Sequence, residues 1–328
     1  MIKTRFDRPG FVLLILSLLL PACTPAVAPT PDLIPITVQL RWTHQSQFAG
    51  FYAADLNGDY AAEGLDVTFL EGGPDVDIHA SVLGGQAQFG VAGADTLILK
   101  RAEDVPVRAI ATIYQRNPLV FISLADSGIT RPQDFVGKTV LVAPFNVAIL
   151  HAMTNRVGIT PDQYTEVCCN YDEFYAGTYE IANAYLTNEV ISAQRQGHEI
   201  NIIYPDDYSV HFYADTLYVT DDLAEQNPDV VQRFLRATLK GWTYVVENPE
   251  TTGEFVRQYA PNANAELEVA KMIASIPLVN TGQDFIGWMT PDVWGNMERT
   301  LREQGVLTAP LDPEEVYTIE FLREIYSQ

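Results

Sequence analysis

The sequence predicts an α/β protein of two lobes joined by a two-crossing hinge, and three observations carry that expectation. Between residues 34 and 101 β-rich and helix-patterned segments alternate; the rhythm restarts after residue 130; the last third is mainly helical with one β-rich run near Thr216. Strands alternating with helices imply parallel pairing through right-handed crossovers, with helices on both faces of a sheet. An alternating unit enclosed by two parts of another gives a clamshell. Its crossings are expected near Ser123 and Phe212, so that lobe 1 takes residues 34–122 plus 213–328 and lobe 2 takes residues 123–212.

Each element has its own local reason. Ile34–Leu40 alternates and is β-rich, which makes it the first strand, and a helical stretch follows from Phe48 to about Ala62, ending at Gly64. Leu65–Leu70 is the second strand. After the turn signal Gly72-Gly73-Pro74 come a helix over Val76–Leu83, a short strand at Ala87–Val91 and a helix at Ala94–Arg101. Val107–Ile113 and Leu119–Leu124 are two more strands. The second round places helices at Thr130–Phe135, Asn146–Val157, Phe174–Thr178 and Ile191–Gln196, with strands at Thr139–Val142, Tyr164–Cys168 and Ile181–Tyr185. Thr216–Thr220 is the last strand. Helices then cover Asp221–Glu225, Pro228–Asn248, Pro249–Tyr259, Ala265–Ile276, Pro291–Glu303 and Pro313–Tyr326, several with proline in the first turn, where its missing N–H costs nothing.

Composition narrows the function. With 328 residues, 47% hydrophobic and 19% charged, the chain is neither disordered nor fibrous. A formal charge of −22 excludes a nucleic-acid surface. The 16 Tyr, 15 Phe and 4 Trp are numerous enough to fill cores and also to stack on a flat ligand.

Residues 1–22 read as an export signal, with Lys3, Arg5 and Arg8 ahead of an apolar run from Phe11 to Leu20 that is too short to span a bilayer. Leu20-Pro21-Ala22-Cys23 resembles a lipobox, which makes Cys23 the lipidated residue; the alternative is a plain secretory signal with an incidental cysteine. Cleavage removes three cations and Asp7, leaving a charge of −24. Residues 23–33 are a Pro-rich tether between a lipid anchor and the folded body. Anchor and tether together place the protein at the extracytoplasmic face of a cell membrane, attached through lipid alone. Cys168 and Cys169 are adjacent, and three readings stand open for them: buried small hydrophobes, a vicinal disulfide, or a soft metal site lacking further ligands. With five His, no HExxH and no CxxC pair, no metal centre is expected.

The segment from Leu40 through Trp42, His44-Gln45-Ser46-Gln47-Phe48 and Gly50 to Ala54 resembles one family, the substrate-binding proteins of ABC importers related to the thiamine-pyrimidine synthases and thiamine-precursor binders. Glu63–Val67, Gly84–Val91, Asp134–Thr139, Ala184–Glu189 and Phe212–Leu217 extend the likeness over nearly the whole chain after the signal. The resemblance implies the type II periplasmic-binding-protein fold. An enzymatic branch of that family uses a Lys, a nearby His and a triple cysteine; the corresponding stretches here, Gly90–Thr96 and His211–Ala214, contain no Lys, no Cys and no His beside a Lys. The expectation is therefore a protein that is not an enzyme and carries no cofactor. The loop form His44–Gly50 is most similar to the riboflavin-binding lipoproteins of ABC importers, with binders of a thiamine pyrimidine precursor second.

Ligands of open α/β sheets sit beyond the carboxyl ends of strands, which nominates the loop residues there. Trp42 stacks on a ligand or packs on the following helix; Phe48 and Tyr52 share a helical face and serve either cleft or core; Gln45 and Gln47 offer neutral amides. Asp95 and Tyr114 follow strands of lobe 1. In lobe 2, Asn146 opens a helix and caps it or reads the ligand, Tyr171 follows the cysteine pair, and Asn188 and Glu189 follow Tyr185, where the resemblance makes Glu189 an acidic contact and the plain alternative is a solvated glutamate. Tyr213 and Asp215 sit at the second crossing. Rings, amides and few cations favour an uncharged flat heterocycle over an anion. The implied partners are that small molecule and the permease and ATPase subunits of an importer, with no nucleic acid.

Overall fold

The computed structural model describes residues 1–2 and 33–327. Apart from Met1, Ile2 and Leu33, the export signal (1–22), Cys23 and the tether (23–33) lie outside the described residues. The body begins with β1 (Ile34–Gln39), which turns Ile36 and Val38 inward, and β2 (Leu65–Leu70), whose strict alternation buries Leu65, Val67 and Phe69 and exposes Asp66, Thr68 and Leu70. They pair in parallel, Ile34 opposite Leu65. Between them the helical stretch breaks in two, α1 (Ala49–Leu56) and α2 (Asp59–Ala62), because Gly58 takes a left-handed φ of 77°.

β3 (Phe89–Ala92), β4 (Val107–Tyr114) and β10 (Ala214–Thr220) complete a five-stranded sheet in the order β2-β1-β3-β10-β4. A second sheet, in the order β7-β6-β8-β5-β9, contains β5 (Leu119–Leu124), β6 (Thr139–Leu141), β7 (Thr165–Val167), β8 (Ile181–Tyr185) and β9 (Ile200–Ile203). The two orders are one pattern used twice. This is the type II periplasmic-binding-protein topology.

The structure corrects further expectations. The sheets are mixed, not all parallel: β10 runs antiparallel to β3 and β4, and β5 antiparallel to β8 and β9. The reason is the hinge. β4 and β9 leave their sheets at the carboxyl edge, so β5 and β10 enter the opposite sheets from that edge and must run backwards. The first crossing accordingly lies between Tyr114 and Leu119, ahead of the position near Ser123, since all of β5 belongs to the second sheet. β9 had no sequence expectation because Ile-Asn-Ile-Ile is short and its edge position leaves three of four residues half-buried. Thr130–Phe135 is a 3₁₀ turn over Pro132–Phe135, not an α-helix.

Helices α3 (Ile78–Leu83), α4 (Ala94–Ala102), α5 (Val147–Arg156), α6 (Tyr171–Tyr175) and α7 (Glu189–Arg195) follow strands. The C-terminal third supplies α8 (Asp221–Gln226), α9 (Pro228–Glu247), α10 (Thr252–Tyr259), α11 (Ala265–Val279), α12 (Pro291–Glu303) and α13 (Glu320–Tyr326). α9 packs on α1 with backbones in near contact: a Cβ on Gly50 would lie 2.2 Å from the Trp242 ring, and one on Gly241 2.1 Å from the Gly50 carbonyl oxygen. Two glycines thus set the approach that holds the first loop over the sheet. No helix among the described residues is long and apolar enough to cross a membrane.

Candidate functional site

Both crossings leave at carboxyl edges, so the loops after β1, β6, β7 and β8 converge on one cavity of about 150 Å³. That is roughly ten times the space a single water needs on the same measure. The first loop, Arg41–Phe48, is fixed from behind. The Ser46 N–H donates to Glu268 Oε2 (2.7 Å), and Lys271 Nζ donates to Glu268 Oε1 (2.9 Å), an i,i+3 pair that α11 buries.

Arg41 is the centre of the site. It is 5% exposed, and its Nη1 donates to Tyr185 Oη (2.8 Å) and Asp215 Oδ1 (3.2 Å) while Nη2 donates to Asn146 Oδ1 (3.3 Å). Tyr185 ends β8 and Asn146 lies in the loop after β6, both in the second half, while Arg41 follows β1 in the first, so this one guanidinium fastens the two halves. It also lies 4.9 Å from the Phe145 ring centroid. Asp215 takes a left-handed φ of 47°, which a short Asp tolerates better than most side chains. Gln47 Nε2 donates to its other oxygen (2.7 Å), and Gln45 Nε2 donates to Gln47 Oε1 (2.9 Å). Burial pushes the Asp215 carboxyl up, and the Arg41 charge and the Gln47 bond pull back. Asp95, on the first turn of α4, is pushed up to about 6 by burial against the pull of Arg41, and its Oδ2 has no hydrogen-bond partner among the described residues.

The second half supplies the opposite wall. Phe145 stands edge-on to Trp42 at 5.9 Å, and Asn183 Oδ1 accepts from the Ala143 N–H (2.9 Å). The Tyr171 hydroxyl donates to the Asn183 carbonyl. Glu189 opens α7 and accepts from the Tyr185 N–H (2.8 Å) and from Asn188 Nδ2. Burial raises its pKa, with those backbone bonds and the Lys271 charge opposing. Cys168 and Cys169 are bonded to each other, which selects one of the three open readings, and Cys169 lines the cavity. Rings, amides, one carboxylate and one guanidinium with three of its five N–H donors committed make a surface that can hold a flat neutral ring and read its edges.

Of the residues nominated from sequence, Trp42, Gln45, Gln47, Asn146, Tyr171, Asn188 and Glu189 line this cavity. Six do not. Phe48 is fully buried. Tyr52 is too, stacked 4.2 Å from Tyr259 with its hydroxyl on His44 Nδ1 (2.8 Å). Tyr114 donates to Ser275 Oγ (3.0 Å), and Tyr213 packs edge-on to Trp294 and accepts from the Thr290 N–H (3.1 Å). Asp95 and Asp215 lie behind Arg41. Asn146 does not cap α5; its oxygen is committed to Arg41. The cavity also takes Arg41, Phe145, Cys169, Asn183 and Tyr185, which sequence reasoning did not nominate. The asparagine inside the otherwise apolar Ile181–Tyr185 strand was a usable signal, as was Phe145 beside Pro144. Among the described residues no group of three or more His, Cys, Asp or Glu could hold a metal.

The model of the family described as NMT1/THI5 like matches residues 45–252. A riboflavin-binding protein of Chloroflexus aurantiacus is 28% identical over 92% of this chain and 91% of its own length. A formylaminopyrimidine-binding protein of Halalkalibacterium halodurans is 27% identical over 79% and 84%. A 4-amino-5-hydroxymethyl-2-methylpyrimidine phosphate synthase of Legionella pneumophila is 24% identical over 88% and 92%. Among solved structures, the periplasmic aliphatic sulphonate binding protein of Escherichia coli superposes with a TM-score of 0.66 at 13% identity, covering 87% of this chain and 91% of that one.

Proposed function

The chain belongs to the NMT1/THI5-like family and has the fold of a periplasmic-type ligand binder, and from that premise we propose that it is the solute-binding lipoprotein of an ABC importer whose ligand is an uncharged flat heteroaromatic vitamin, riboflavin. The observation that carries the ligand class is the pairing of Arg41: among the described residues it is the one cation on the cavity wall, three of its five N–H donors go to Tyr185, Asp215 and Asn146, and the remaining charged wall group is the Glu189 carboxylate. An anion there would face the Glu189 carboxylate and a guanidinium whose charge Asp215 already offsets. Trp42 and Phe145 supply ring faces and edges, and Gln45, Asn183 and Asn188 supply amides for carbonyls and hydroxyls. The similarity to a riboflavin-binding protein supports this choice.

A ligand touching both walls favours the closed arrangement by its differential affinity, which is how capture would be signalled to a permease. Lipidation at Cys23 would hold the body at the extracytoplasmic membrane face. Some relatives are named as synthases, but the Gly90–Thr96 stretch places Asp95, not a lysine, at the start of α4, so an amine for a Schiff base is missing there. A thiamine pyrimidine precursor is the second reading, favoured by the compactness of the cavity and by the formylaminopyrimidine-binding relative. Titration of the purified body with riboflavin, following quenching of flavin fluorescence, and with the pyrimidine by calorimetry tests both. Saturable quenching supports the first reading; heat with the pyrimidine alone moves the assignment to the second; silence with both removes the ligand class.

A further inference from the structure

Three residues join β7 to α6, and two of them are the bonded cysteines. Val167 ends β7 with its carbonyl accepting from the Val142 N–H (2.8 Å), and the Asn170 side chain starts α6 by accepting from the Asp172 N–H (3.1 Å). Between these fixed points Cys169 has φ +77°, in the left-handed region that L side chains adopt only at a cost. The next helical residue, Tyr171, lines the cavity with its hydroxyl on the Asn183 carbonyl. Cys168 is exposed and Cys169 half-buried on the cavity wall, so a small reductant reaches the bond.

We infer that the Cys168–Cys169 pair is a redox modification site that positions Tyr171. Bonded, it holds the left-handed turn that presents Tyr171 and Cys169 to the cavity. A dithiol reductant attacks one sulfur, the S–S bond breaks, a mixed disulfide forms, and the reductant's second thiol resolves it; the protein gains two electrons and two protons as thiols, and the reductant leaves as its cyclic disulfide. Cys169 then relaxes to a right-handed conformation, the start of α6 shifts, and Tyr171 leaves the wall. The consequence for ligand rests on the function proposed above; the movement of the turn does not.

The test uses the whole body oxidised, reduced, and as two double variants, Cys168→Ser with Cys169→Ser and Cys168→Ser with Cys169→Gly. Glycine takes φ +77° without a Cβ penalty, so it replaces the bond's conformational role without its chemistry. Expected are no alkylation of the peptide holding residues 168 and 169 until reductant is added, then two labels; faster amide exchange over residues 168–176 after reduction and in the Ser–Ser variant; and near-oxidised exchange in the Ser–Gly variant. Flavin affinity should fall roughly tenfold on reduction, the scale of one residue's left-handed penalty, and recover with glycine. Labelling without reductant, or exchange unchanged on reduction, overturns the inference. Exchange that responds while no form binds flavin leaves the redox site standing and refutes the ligand assignment instead.

Discussion

Replacing Arg41 by methionine tests the centre of the site. The substitution removes three donations and one charge, and leaves Asp215, 2% exposed, with the Gln47 amide at 2.7 Å and the Tyr185 hydroxyl at 3.4 Å as its partners. Removing one member of a buried ion pair costs about 3–5 kcal/mol, because the survivor is left uncompensated. At about 2–4 °C per kcal/mol for a domain somewhat smaller than this one, the melting temperature should drop by roughly 10 °C. The loss has a pH signature. Burial already raises the Asp215 pKa, and without Arg41 it rises further; a carboxyl raised in the folded state favours folding below its unfolded pKa and loses that contribution as pH rises through the folded value. The variant should therefore lie nearer to wild type at pH 5 than at pH 8. Adding Asp215→Asn should recover most of the loss, since asparagine tolerates the left-handed φ and carries no charge. Differential scanning calorimetry at both pH values measures this. A drop of less than about 1 kcal/mol, or a double variant no better than the single one, would refute the buried-pair account.

Asp95→Asn should flatten the acid side of the stability profile: with the folded pKa near 6, wild type loses stability relative to the variant as pH rises from about 4 to 6, and denaturant melts across that window measure the difference. Gly50→Ala drives a methyl into the Trp242 ring and should cost about 3 kcal/mol or prevent folding, seen as a lowered urea midpoint. Under the proposed function, Trp42→Ala should weaken riboflavin binding by roughly 10–100-fold, the scale of one buried aromatic, and an unchanged dissociation constant would remove Trp42 from the site. The 5′-phosphate ester of the same flavin should bind more weakly than riboflavin, with Glu189→Gln narrowing the gap; equal affinities would contradict the offset of the Arg41 charge by Asp215.

The elements were legible because their signals are local. Alternation wrote β1 and β2, glycine stopped α2 and α7, and proline opened α9 and α12, each readable within a few residues. Half of the cavity wall was legible in part for the same reason: loops after strands face the cleft wherever the strands pair, which nominated Trp42, Gln45 and Asn188, while the family resemblance singled out Glu189. What tertiary structure decided is which side chains spend their polarity on one another. Tyr114 ends β4 and Tyr213 stands just before β10, places as close to a strand end as that of Tyr171, yet Ser275 and Thr290, far along the chain, take their hydroxyls into the core. Asp215 looks like a ligand contact until Arg41, 174 residues away, claims it. Strand direction was non-local in the same sense, because β5 and β10 run backwards only on account of where the chain crosses between sheets. Period and punctuation are properties of short segments. The partner of a buried charge is set by packing, which brings together residues that no spacing rule relates.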